Sequence, residues 1–102
     1  MIDLIQQNLT SLADLCRRYE VARLEVFGSA ATGDFNPETS DIDFLVKFKR
    51  NGTLRPFIQY FDFLAELKEL FGREVDLVEE GAPKNSYFIK SMNASRELLY
   101  AA

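Results

Sequence analysis

The chain is predicted to fold as a small α/β domain, a three- or four-stranded mixed β-sheet flanked by helices, on three observations. Apolar residues recur at helical spacing near residues 5–19, 57–71 and 86–95. They alternate with polar residues at 21–27 and 41–48, and more briefly at 73–79. Gly and Pro punctuate the joins. At 102 residues the whole, 1–102, reads as one domain, large enough for a modest core and too small for a separate substrate lid.

Taken in order, Ile5, Leu9, Leu12, Leu15, Cys16 and Tyr19 form the apolar stripe of one amphipathic helix. Val21–Phe27 is a strand with Ala22, Leu24 and Val26 on one side and Arg23 and Glu25 on the other, ended by Gly28. Ser29–Thr32 can open a short helical turn, and a small, polar loop runs on to Thr39. In the second strand, Asp41–Phe48, Ile42, Phe44, Val46 and Phe48 alternate with Asp41, Asp43, Leu45 and Lys47. Thr53 is placed to cap a helix with Pro56 in its first turn, the stripe Phe57, Phe61, Leu64, Leu67 and Phe71, and Gly72 at its end. Arg73–Glu79 is a third strand, and Ser86–Ser95 a shorter helix followed by the apolar run Leu98–Tyr100. Strands one and two can pair in either direction.

Composition narrows the chemistry. The net charge is −4 and the chain has no extended Lys/Arg cluster, which disfavours direct nucleic-acid binding. Histidine is absent, so histidine-ligated zinc, Ser-His-Asp triads and histidine bases are excluded together. Carboxylates must carry any chemistry. Cys16, the single cysteine, falls in the apolar stripe and reads as a buried structural thiol. With no membrane-length apolar run and no signal-peptide pattern, a cytoplasmic location is expected.

The stretch Gly28–Val46, GSAATGDFNPETSDIDFLV, holds the chemistry. Asp41 and Asp43 are two apart on a strand and project to the same side. Asp76 on the third strand can join them. Carboxylates this close repel unless a cation compensates, and their hard oxygens suit Mg²⁺, which keeps waters and binds substrate phosphates. The Gly28 turn allows close backbone approach to a triphosphate, with the Ser29 hydroxyl as a donor. Taken singly, an Asp-x-Asp pair is usually a solvated strand edge and such a glycine usually only a turn. Gly28 and Gly33 have P-loop spacing, but Asp34 and Phe35 stand where Lys and Ser/Thr are required, so that motif is rejected.

The combination Phe27-Gly28-Ser29, Gly33 and Ser40-Asp41-Ile42-Asp43-Phe44-Leu45-Val46 resembles the signature of the DNA polymerase β-like nucleotidyltransferases. More narrowly, it is similar to their minimal members, the MntA-type antitoxins that accompany HEPN-domain RNase toxins. Val75-Asp76-Leu77-Val78 fits the strand bearing that family's third acidic residue. The resemblance implies the nucleotidyltransferase fold, with Gly28 and Ser29 holding the nucleotide. Asp41, Asp43 and Asp76 are implied to ligate Mg²⁺, and Asp76 to help deprotonate the attacking hydroxyl. It further implies AMP transfer from ATP to a tyrosine of a HEPN-type toxin partner, with release of pyrophosphate.

Two departures from that pattern stand out. Ala30, Ala31 and Thr32 occupy positions where many relatives carry arginines, and eleven residues separate Ser29 from Asp41, one more than the commoner spacing. The alternative reading is therefore a catalytically weak or inactive antitoxin or regulatory module that acts by binding its partner. A small-molecule transferase is disfavoured because no second domain is there to bind the acceptor. A lidless site would favour a homo- or hetero-oligomer, through the exposed parts of the first and last helices.

Overall fold

A computed structural model describes residues 1–102. Four strands form one sheet in the order β3-β2-β1-β4, with β1 Val21–Phe27, β2 Ile42–Phe48, β3 Val75–Glu79 and β4 Glu97–Ala101. β1 is antiparallel to both of its neighbours, which settles the direction that the sequence left open. β2 and β3 run parallel. A parallel pair needs a long crossover, and α4, Pro56–Phe71, supplies it.

The two faces are unequal. On one, α1 (Asp3–Gln6), α2 (Leu9–Arg18) and α4 bury Ile5, Leu12, Phe63 and Leu67 against Leu24, Val26, Phe44 and Val46 of the sheet. Each such side chain contributes roughly 1.5–3 kcal/mol on leaving water. On the other face only α5, Ser86–Ser95, lies over the strands, closing a small cluster of Phe27, Leu45 and Met92. Asn85 caps α5 by accepting from the Tyr87 and Phe88 N–H groups. Between β1 and β2, the short α3, Ser29–Thr32, follows the glycine turn as expected. No helix is long and apolar enough to cross a membrane.

Several expectations are corrected. The first helix is two helices, broken at Gln7–Asn8, where the Asn8 side chain donates to the Leu4 carbonyl at 2.7 Å. Thr53 does not cap α4: its N–H and that of Leu54 are bound by the Glu20 carboxylate, and Arg55 precedes Pro56 without a side-chain cap. Phe57 and Phe61 are 71% and 50% exposed, because the buried stripe of α4 runs through Gln59, Phe63, Leu67 and Phe71. Both stripes have helical spacing, so periodicity cannot choose between them. Gln59 is tolerated in the core because its amide donates to the Tyr19 and Lys49 carbonyls, each at 3.2 Å, and accepts from Arg50.

Glu25 is the largest departure from the strand pattern. Alternation puts it on the side of Arg23, and that side proves to be covered by α5 and its C-terminal neighbour Arg96. Leu98–Tyr100 belongs to the edge strand β4, anchored by the pairing of Leu98 with Glu25 and of Tyr100 with Leu24.

Candidate active site

The site is built by register. The antiparallel pairing of β1 and β2 sets Phe27 opposite Asp43, so the next residue of β1, Gly28, turns away directly over the Asp43 carboxylate. The parallel pairing of β2 and β3 sets Asp76 opposite Asp43 from the other side. Asp43, half-buried, therefore sits between the glycine turn and a second carboxylate. Asp41 precedes β2 by one residue and is exposed, as Asp76 is.

Gly28 is required by this geometry. Its φ of +70° lies where side chains are strained, and a Cβ there would stand 2.7 Å from Asp43 Oδ2. The turn's carbonyl accepts from the Ala31 and Thr32 N–H groups, which starts α3. The Ser29 carbonyl accepts from Gly33 N–H and closes that helix, with Gly33 left-handed at φ +93°. Ala30 and Ala31 are buried in the main core. Their small size is thus a packing requirement, and an arginine at either position could not remain where the alanine is. Of the three positions that depart from the arginine-bearing pattern, only Thr32 is exposed.

The electrostatics follow from the crowding. Burial, the neighbouring Asp76 carboxyl and the Asp41 charge push the Asp43 carboxyl from 3.8 up to about 7, with burial the largest cause. Hydrogen bonding and charge from Asp76, its register partner on β3, both act to keep the Asp43 proton on. Two carboxylates brought this near each other are held together either by a proton or by a cation. As the side chains stand, no three acidic, histidine or cysteine groups form a ready cage for a metal ion. The donor set nevertheless fits Mg²⁺, which takes one or two carboxylates and fills its remaining positions with water and substrate phosphate oxygens.

Two groups next to the site were not singled out in the sequence. Gly28 N–H donates to Ser95 Oγ at 2.8 Å, tying the turn to the last residue of α5. Arg96 then donates from two nitrogens to the buried Glu25 carboxylate on β1. A serine ending a helix has no pattern that marks it, whereas a Glu and an Arg flanking apolar runs carry at least the signal of complementary charge. Lys84, Tyr87 and Lys90 are exposed on α5 and the loop before it.

The family profile described as nucleotidyltransferase domain matches residues 10–99. A Methanocaldococcus jannaschii protein, named as a candidate protein adenylyltransferase, is 38% identical over 86 residues, covering 84% of this chain and 82% of that one. A solved structure of a candidate minimal nucleotidyltransferase is 28% identical and superposes with a TM-score of 0.73 over 94% of this chain and 95% of that one. The fold is also that of a chain in the complex of a tri-AMPylated Shewanella oneidensis HEPN toxin with its MNT antitoxin. That match has 20% identity, a TM-score of 0.63, and covers 95% of this chain and 72% of that one. Glycine turn, acidic strand pair and the family match along nearly the whole chain agree, and the chain belongs to the nucleotidyltransferase-domain family.

Proposed function

We propose that this chain transfers AMP from ATP to a tyrosine hydroxyl of a HEPN-domain toxin and so acts as its antitoxin. The observation that carries this reading is Asp43 standing directly beneath the Gly28 turn with Asp76 beside it on the next strand. A site with paired carboxylates and a close-approach turn suits a triphosphate and a hydroxyl nucleophile, and it offers nothing for acyl or redox chemistry. The relative named as an adenylyltransferase and the AMPylated toxin complex support the choice of AMP and of partner.

In this mechanism Gly28 and Ser29 receive the triphosphate, the turn allowing its oxygens close to the backbone. Asp43 and Asp76, with Asp41 beside them, would hold Mg²⁺. When bound, the metal supplies positive charge to the phosphate oxygens as the reaction proceeds. The acceptor oxygen attacks the α-phosphorus, forming a new P–O bond, while the bond to the bridging oxygen of the β-phosphate breaks and pyrophosphate leaves. Asp76 takes the hydroxyl proton; it is exposed, so both the acceptor and water can reach it.

The test is mass spectrometry of a HEPN-domain toxin after incubation with this protein, ATP and Mg²⁺. One or more added AMP groups on a tyrosine-containing peptide are expected. A toxin silenced by this chain with no added mass would favour the alternative, neutralisation by binding alone.

A further inference from the structure

We infer that Ser95 is a positioning residue for nucleotide binding: it holds the Gly28 turn in register from the far end of α5, an inference that rests on the nucleotidyl-transfer reading above. Gly28 N–H is the first backbone donor after β1, and it points at Ser95 Oγ, 2.8 Å away and 67 residues along the chain. The Ser95 hydroxyl lies 3.5 Å from both the Ser91 and Met92 carbonyls of its own helix, which can take its proton. With that proton committed, the oxygen lone pairs are left to accept from Gly28.

The end of α5 is itself fixed to the same strand. Arg96, the next residue, spans to Glu25 with a second hydrogen bond of 2.9 Å, and Phe88 packs edge-on against Phe27 at 6.0 Å. Three ties therefore run from α5 and the residue after it to β1 and the residue after it, at Glu25, Phe27 and Gly28. The last of them lands on the residue whose missing Cβ leaves room for Asp43 Oδ2. Without the Ser95 acceptor, the Gly28 N–H is free to rotate away, and the turn that must approach a triphosphate loses its preset shape. Ser95 touches no substrate in this account; its effect passes through Gly28.

The experiment compares wild type with Ser95→Ala, Ser95→Thr, which keeps the hydroxyl, and Ser95→Cys, which keeps the size but accepts weakly. Ser91→Ala, one turn earlier, is the control. Two readouts are taken: hydrogen exchange at the Gly28 amide, and initial rates of AMP transfer against ATP concentration. Ser95→Ala should speed Gly28 exchange and raise the KM for ATP about three- to tenfold, the range expected for one lost neutral hydrogen bond, with a smaller change in kcat. Ser95→Cys should follow it, so the outcome does not depend on one variant folding. Ser95→Thr should restore both readouts, and Ser91→Ala should alter neither. Gly28 exchange and KM unchanged in Ser95→Ala and Ser95→Cys, with wild-type transfer intact, would overturn the role of Ser95 alone. A wild-type chain that transfers no AMP would overturn the functional reading, and the role of Ser95 with it.

Discussion

Asp43 and Asp76 occupy the same register on neighbouring parallel strands, and the Asp76 carboxyl is one of the neighbours that raise the Asp43 pKa. Neither strand alone makes this site. It requires β2 to pair with β1 so that Gly28 stands over Asp43, and with β3 so that Asp76 stands beside it. The 16-residue crossover helix between β2 and β3 is what permits the parallel pairing, so the long middle helix serves the site without contributing a residue to it.

Gly28→Ala should harm both stability and activity. The substitution strains a backbone at φ +70° and drives a Cβ onto Asp43 Oδ2. A loss of about 1–2 kcal/mol in urea unfolding is expected from the backbone alone. Gly72→Ala provides the comparison, since its φ is +62° but no atom lies within 4 Å of the added Cβ. Both should lose stability, and only Gly28→Ala should lose transfer.

Glu25 governs part of the acid response. Hydrogen bonding from Arg96 is the largest cause that holds its carboxyl below the usual 4.5, against the opposing effect of burial. The folded chain thus binds this proton more weakly than the unfolded one. The stabilisation is present above about pH 4.5 and is lost as the pH falls through the lower folded-state value. Glu25→Gln should flatten the decline in unfolding free energy on acidification. Arg96→Met should cost about 2–3 kcal/mol at neutral pH, less than a wholly orphaned buried charge, because Arg23 remains 2.6 Å from Glu25.

Gln59→Leu tests the polar insertion in the core. The leucine fits the volume but leaves the Tyr19 and Lys49 carbonyls without their donor. The expected cost is about 1–3 kcal/mol, read as a lower urea midpoint at unchanged slope.

Cys16 should be inert in the folded chain. Burial pushes its thiol up to about 12, and none of the residue is exposed. An aromatic disulfide reagent at pH 8 should label it only at the rate of unfolding, and at once in urea. Prompt labelling of the native chain would contradict the packing of α2.

The parts legible in the sequence share a cause. The three strands that carry or flank Gly28, Asp41, Asp43 and Asp76 could be drawn from alternation alone, whereas reading those four residues as one site took their combination and the resemblance it carries. What stayed hidden depends on pairing across the chain. Glu25 is buried because a helix that begins 61 residues later covers it, and Phe57 is exposed because nothing arrives to cover it. β4 is a short edge strand after a helix, and only its contacts with Leu24 and Glu25 give it a direction. Ser95 gains its importance from a single backbone donor that cannot be located before the sheet is assembled.

The most direct measurement is label transfer from ATP carrying radioactivity at the α- or, separately, the γ-phosphate, with Mg²⁺, a HEPN-domain toxin and either wild type or Asp43→Asn. The α-label alone should enter the toxin band. Asp43→Asn should reduce it on the order of a thousandfold, as loss of several kcal/mol of metal-borne stabilisation requires, while unfolding no more easily than wild type. Equal labelling by a folded Asp43→Asn, or label arriving from the γ-phosphate, would contradict the assignment of the Asp43–Asp76 pair as the centre of nucleotidyl transfer.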